Sequence, residues 1–314
     1  MELSVVIPCY NEEESLAETH RRVKAACDAA PVKSYEIILV NDGSRDTTLA
    51  VMKQLVAADP AVVAVDLSRN HGHQLALSAG LAQAKGDFIF VLDADLQDPP
   101  ELLTPMLERA RAGVDVVYGK RGKREGEAKF RMFLTRTFYH LLSYLSDIAI
   151  PEDVGDFRLM SRRVLDQLLA MPEQHRFIRG MVAWIGFTQE AYVYTRAPRF
   201  AGVTKYPMSK LLAFAADAIT SFSVKPLRVS LIFAFAGVVI AGLLGLVAVV
   251  SYFTHATVAG WASLACIIAF FSSLQLICIG MIGEYIGRTY LQSKNRPLFI
   301  IRDIHRTAGR ADGA

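Results

Sequence analysis

The chain has 314 residues, 52% of them apolar, and a formal charge of +3. That length buries a full core and leaves residues for a second module, and the small charge excludes a nucleic-acid footprint and so nucleic acid as a partner. The four cysteines, Cys9, Cys27, Cys266 and Cys278, show no CxxC spacing, so neither a disulfide framework nor a cysteine metal site is expected. This suits a catalytic domain in reducing cytoplasm.

The N-terminal stretch MELSVVIPCYN is acidic, lacks a basic n-region and has a short apolar run, so no signal peptide is expected. From Leu3 to about Ala201, strand-like and helix-like patterns alternate. Strands are predicted at Leu3–Ile7, Glu36–Val40, Val62–Leu67, Phe88–Leu92 and Val114–Tyr118, with helices at Glu13–Ala29, Thr47–Ala58, Gln74–Ala84 and Glu101–Ala112. Continuously apolar strands alternating with helices predict a mostly parallel α/β sheet covered on both faces. Ligands of such sheets gather at the carboxyl ends of the strands. Polar residues collect there: Pro8-Cys9-Tyr10-Asn11-Glu12, Asn41-Asp42-Gly43-Ser44 and Asp93-Ala94-Asp95. Ser44 and Asp46 also suit a plain turn and helix cap. Neither GxGxxG nor GxxxxGK[ST] occurs, so a nucleotide must be held by side chains and a metal rather than by a glycine cradle.

The fourth strand end, VLDADLQDPP, carries three carboxylates and an amide. On an extended backbone Asp93 and Asp95 share a face, and Gln97 joins them if the extended path continues. Such oxygen ligands suit a hard cation, Mg²⁺ or Mn²⁺, that completes its shell with phosphate oxygens. Asp98, with Pro99 and Pro100, is expected to cap the next helix. His71 and His73 flank Gly72 and are expected to make polar contacts rather than bind metal.

Further along, Phe130 to Leu145 and Leu211 to Phe222 repeat apolar residues at helical spacing. Beside membrane spans, both fit helices lying in the interface. Two runs, Val229 to Phe253 and Val258 to Ile282, contain no charge and exceed the roughly 20 residues that cross a bilayer. Lys205, Lys210, Lys225 and Arg228 precede them, Arg288, Lys294, Arg296, Arg302 and Arg306 follow, and their connection has no Lys or Arg. The positive-inside rule puts both ends in the cytoplasm. Glu284, near the end of the second run, needs a partner, expected to be Arg228 or Arg288. Small residues at Gly237, Ala241, Gly245, Gly280, Gly283 and Gly287 suit close helix contact, within a hairpin or between subunits. The apolar tail Pro297–Ile301 reads as a short strand able to pair with a neighbouring subunit.

VVIPCYNEEESL, ILVNDGSRDTT, GDFIFVLDADLQDPP and VGDFRLMSRR resemble the inverting, GT-A-fold glycosyltransferases of family 2. RFAGVTKYPMSKLL, VKPLR, two spans and IGEYIGRTY narrow the resemblance to the polyisoprenyl-phosphate glycosyltransferases, which include dolichyl-phosphate mannose synthases and the GtrB-type and ArnC-type bacterial enzymes. The resemblance implies four parts. A cytoplasmic GT-A domain spans 1–204, a juxtamembrane amphipathic helix 205–228, two transmembrane helices 229–285, and a cytoplasmic tail with a short strand 286–314. It also implies a bacterial plasma-membrane enzyme that moves a sugar from a UDP-sugar to undecaprenyl or another polyprenyl phosphate with inversion. GtrB-like wording in TKYPMSK and DFRLMSR points to glucose, with an ArnC-like aminosugar transfer as the alternative. A processive polysaccharide synthase is disfavoured by the lack of QxxRW and by only two spans.

By the same resemblance Pro8, Tyr10, Asn11, Glu12 and Asp42 hold the nucleoside, Asp93 touches the ribose or, through water, the metal, and Asp95 with Gln97 binds the metal. Arg121, Arg131, Arg136, Arg199 and Lys205 collect the acceptor phosphate, for which guanidinium is well shaped. Lys123 and Arg124 suit a basic loop facing anionic lipid. Asp156 matches the acid near the sugar. Since a phosphate nucleophile scarcely needs deprotonation, orienting a substrate is preferred to a base role, with Arg158 as its structural partner. The family further implies a homo-oligomer, a tetramer.

Overall fold

The computed structural model describes residues 1–122, 154–195, 225–254 and 260–307. They fall in two compact units. The first holds the described residues up to 195 together with those from Arg296 onward, and the second holds 225–254 and 260–295.

In the first unit the predicted alternation is present as β1 (Leu3–Cys9), α1 (Leu16–Ala29), β2 (Tyr35–Asn41), α2 (Thr48–Ala58), β3 (Val62–Leu67), α3 (His73–Gln83), β4 (Phe88–Val91), α4 (Leu103–Arg111) and β5 (Val116–Arg121). Beyond these come β6 (Val154–Ser161), α5 (Arg162–Ala170), α6 (Ile178–Ile185), β7 (Gln189–Tyr194) and, past the second unit, β8 (Ile301–His305). The eight strands form one sheet in the order β7-β5-β6-β4-β1-β2-β3-β8. β1 pairs in parallel with both β2 and β4, so the order of strand addition reverses at β1, the place where such sheets open a crevice at their carboxyl ends. β6 runs antiparallel between β4 and β5, and β8 runs antiparallel to β3.

Burial explains the apolar runs. Every residue of β1 and β3 is buried, because helices cover both faces of a sheet of this kind. α3 comes close to β1 and β2 because Gly80 has no side chain: a Cβ there would lie 2.5 Å from Val6 Cγ1 and 2.8 Å from Val40 Cγ2. On the β6 side, Phe90, Phe157 and Tyr194 pack ring on ring, with Phe90 and Phe157 edge-on at 5.3 Å.

The tail strand corrects its expectation. It forms at Ile301–His305 rather than Pro297–Ile301, and pairs with β3 of its own chain. The free edge of β3 supplies the ladder, and Arg302 reaches Asp66 on that strand.

The second unit contains two long helices, α7 (Lys225–Phe253) and α8 (Trp261–Ser293). Within α8, Phe270–Ser293 is long and apolar enough to cross a membrane, and within α7 Ile232–Val247 forms a shorter apolar stretch. Their apolar side chains point outward, as at Phe235 (73% exposed) and Leu276 (67%). Glu284 takes the predicted partner, Arg288, at 2.8 Å. Gly237 receives the Phe271 ring at 3.4 Å from where its Cβ would be, whereas among the described residues nothing comes within 4 Å of Gly245, Gly280, Gly283 or Gly287.

Candidate active site at the carboxyl ends of the strands

The polar ends of β1 and β2 are sewn into one frame. Beyond β1, Asn11 adopts a left-handed conformation, φ 55°. Its backbone N–H donates to Ser44 Oγ at 3.1 Å, and its Oδ1 accepts from Arg45 N–H at 2.9 Å. Glu12 N–H donates to Thr48 Oγ1 at 2.9 Å. Tyr10 stands exposed beside them, and Pro8 is buried in the strand. Asp46 accepts from Thr48 N–H at 3.0 Å, so it does serve the start of α2. Ser44 instead joins the two loops.

Asp42 is buried, and its two oxygens accept the backbone N–H groups of His71 (2.7 Å) and Gly72 (3.0 Å). In this structure the carboxylate therefore pins the loop that leads into α3. Burial pushes it above the ordinary carboxylate range, against those two hydrogen bonds.

The acidic end of β4 differs from the expectation of an extended backbone. The strand stops at Val91, the chain turns through Ala94 and Asp95, and Leu96 takes φ 57°. Asp95 Oδ1 accepts Gln97 N–H at 3.1 Å, closing that turn. Gln97, 5% exposed, therefore follows a turn rather than the extended path. Asp98 does not cap a helix either. The capping position of the short 3-10 turn Pro100–Leu102 is Pro99, which makes no side-chain cap bond, and Asp98 instead accepts from the buried Tyr194 hydroxyl. A buried carboxylate needs such a donor more than an exposed turn needs a cap.

Asp93 Oδ1 is buried and, among the described residues, has no hydrogen-bond partner; His73 Nε2 lies 3.6 Å from it. Burial raises the Asp93 carboxyl above its ordinary range; His73 opposes this, while Asp156, Asp98 and Asp95 add to it. Among the described residues no group of three or more His, Cys, Asp or Glu side chains is arranged to hold a metal ion. An orphaned buried carboxylate oxygen two residues from Asp95 fits a cation that takes few protein ligands and the rest from phosphate.

Asp156 arrives on β6, next to β4 in the sheet. It is 1% exposed and accepts four hydrogen bonds: His73 Nε2 (3.0 Å), Gln74 Nε2 (3.0 Å), Arg179 Nε (2.9 Å) and Arg179 Nη2 (3.2 Å). Burial alone would raise its pKa, but the Arg179 charge and the His73 bond overcome it and hold the carboxyl well below the usual range. Arg158, the expected partner, stands at 3.8 Å and is buried, its pKa lowered by burial to about 10. The closer partner is Arg179, at the start of α6, which sequence reasoning missed because an isolated Arg at a helix start carries no signal. His73 is the other new member. Burial lowers its pKa, but the bond to Asp156 and the charge of Asp93 win and raise it to about 9, so it is an imidazolium between two carboxylates at neutral pH. It makes polar contacts, as expected. Arg121 ends β5, while Arg131, Arg136, Arg199 and Lys205, with the two amphipathic runs, lie outside the described residues.

The sheet order, the switch at β1 and the acids beyond β1, β2 and β4 define a GT-A-type α/β fold. Residues 4–169 match the profile of Glycosyl transferase family 2. The chain is 44% identical to the glycosyltransferase YkcC of Bacillus subtilis (strain 168), over 96% of this chain and 94% of that protein. It is 39% identical to the bactoprenol glucosyl transferase of Shigella phage SfII, over 98% and 99%. Among solved structures, glucosyl-3-phosphoglycerate synthase from Mycobacterium tuberculosis, determined with Mn²⁺ and UDP-glucose, matches at 21% identity with a TM-score of 0.45, covering 70% of this chain and 77% of that one. The chain belongs to glycosyl transferase family 2.

Proposed function

We propose that this chain transfers glucose from UDP-glucose to undecaprenyl phosphate or a similar polyprenyl phosphate, inverting the anomeric carbon. The observation that carries the reading is the acidic crevice at the switch point of the sheet, in a chain similar over 98% of its length to a bactoprenol glucosyl transferase. Asp95, with Asp93 and Gln97 beside it, would hold a divalent cation, Mg²⁺ or Mn²⁺. When bound, such an ion offsets charge that builds on the diphosphate leaving group. Pro8, Tyr10, Asn11, Glu12 and Asp42 frame the nucleoside. Arg121, Arg131, Arg136, Arg199 and Lys205 collect the acceptor phosphate. That phosphate is already an anion, so Asp156 orients substrate rather than removing a proton. The imidazolium of His73 and the Arg179 guanidinium keep the Asp156 carboxylate ionised and fixed in place.

The outward apolar faces of α7 and α8 support a cytoplasmic-facing, two-span enzyme of the bacterial plasma membrane working at the inner leaflet. The glycines of those helices that no described residue approaches leave room for a neighbouring helix, which supports an oligomer. The test is a donor screen with purified full-length protein, polyprenyl phosphate, Mg²⁺ or Mn²⁺ and a panel of nucleotide sugars. UDP release from UDP-glucose that requires the prenyl phosphate, stops with chelator and is lost in Asp95→Asn is expected. Release only from another nucleotide sugar overturns the donor, and release from none overturns the enzyme reading.

A further inference from the structure

We propose that the C-terminal tail strand is a working part of the donor site, and that Arg302 is a positioning residue for the nucleotide loops. This rests on the reading of the crevice as a nucleotide-sugar site.

Asp66, a carboxylate on β3 beside the edge strand β8, is 3% exposed. A buried carboxylate needs both hydrogen bonds and a counter-charge. Its Oδ1 accepts from Asn41 Nδ2 at 2.7 Å, and its Oδ2 faces Arg302 Nη1 at 3.4 Å. Among the described residues Arg302 is the one cation that close to it. The contact exists because β8 pairs with β3, with Asp303 opposite Asp66. Arg302 is thereby carried to the site end of the sheet by a strand from beyond the apolar helices.

Two branches lead from this pair to the site. Along the first, Asn41 is oriented by its bond to Asp66, so its Oδ1 is free to accept Ser44 N–H at 3.1 Å. Ser44 Oγ then accepts Asn11 N–H, so the ends of β1 and β2 both depend on which way the Asn41 amide faces. Along the second, Arg302 Nη2 donates to Ser68 O at 2.7 Å, and Ser68 N–H donates to Ile300 O at 2.9 Å. Ser68 opens the segment whose His71 and Gly72 N–H groups are held by Asp42. Gly43 locks the branches together: a Cβ there would meet Asn70 N at 2.5 Å, so the two loops touch backbone to backbone. Arg302 sits at the root of both.

If the guanidinium is removed, Asp66 loses its counter-charge and Ser68 loses a donor. The Asn41 amide then has no fixed partner geometry, and the 41–44 and 68–72 segments loosen together. A lysine keeps the charge but not the fork that reaches both Asp66 and Ser68, so it restores part of the effect.

The experiment uses the full-length protein in detergent. UDP affinity is measured by calorimetry, steady-state constants are measured for donor and acceptor, and amide exchange is followed at Ser44, His71 and Gly72 against β1 and β4. For Arg302→Gln, the expected result is a rise of about five- to tenfold in the UDP Kd and donor KM, as for the loss of one ordinary hydrogen bond. Acceptor KM and kcat stay unchanged, exchange quickens only in the two loops, and Arg302→Lys recovers part of the loss. Asp303→Ala on the same strand serves as the control and leaves the Kd unchanged. Unchanged exchange and Kd in Arg302→Gln overturn the proposal. So does faster exchange throughout β1 and β4, which would make the tail a general staple. Selective loosening of the loops in a protein that binds no UDP leaves the positioning role standing and overturns the donor reading instead.

Discussion

Replacing Asp156 by Asn tests the centre of the site. The native carboxylate accepts four hydrogen bonds from His73, Gln74 and Arg179, and the Arg158 guanidinium lies 3.8 Å away. Asparagine presents one acceptor oxygen and turns an amide NH₂ toward either the Arg179 side or the His73 and Gln74 side, so donors face donors. It also takes from His73, Arg179 and the buried Arg158 the carboxylate that faces all three, leaving His73 with Asp93 at 3.6 Å. Removing one member of a buried charge pair costs about 3–5 kcal/mol. At about 2–4 °C per kcal/mol for a unit of this size, Tm should fall on the order of 10 °C. The assay is thermal unfolding of the purified full-length protein, run beside the pH dependence of sugar transfer. Transfer should fall at every pH, because the loss is one of geometry. A variant with unchanged Tm whose rate collapses at low pH and recovers at high pH would refute the reasoning and restore Asp156 as a general base.

Three further outcomes follow from the packing and charges. Gly80→Ala gains helix propensity of about 1 kcal/mol, but its methyl meets stiff β-branched Val6 and Val40 at 2.5 and 2.8 Å; overpacking costs about 1–3 kcal/mol, so urea unfolding should show net destabilisation. Tyr194→Phe removes the hydroxyl that donates to buried Asp98 while keeping the ring against Phe157, a loss of about 1–3 kcal/mol that a lowered Tm would register. His73 has a folded pKa of about 9, raised from 6.5. Its contribution is therefore complete below pH 6.5 and disappears as the pH rises through 9. Tm should decline across that window in the native protein and stay flat in His73→Gln; an identical decline in both would show that another group titrates.

The placement of the acids shows what was legible before any coordinates. The positions of Asp42, Asp93 and Asp95 beyond β2 and β4 follow from the sequence because each comes after an apolar run with parallel-strand character, and both signals are local in the chain. The turn at Asp95 was not found, since it depends on Leu96 adopting a left-handed conformation that leucine rarely takes. Asp98 departs from the expected cap for a related reason: a proline-flanked acid matches a helix cap locally, yet the buried Tyr194 hydroxyl that claims it lies 96 residues away.

What the sequence determined by itself was periodicity and chemistry. Five strands, their helices, two long apolar helices and a concentration of carboxylates at strand ends all follow from the spacing of apolar and polar residues. Only the tertiary structure decided the partners of those carboxylates. Asp156 meets His73 from 83 residues away because β6 enters the sheet antiparallel beside β4. Asp66 meets Arg302 across 236 residues because β8 adds itself to the far edge. Charge pairs of this kind are set by strand order, and strand order minimises exposed edge and unpaired charge over the whole sheet at once, so no local stretch of sequence encodes it.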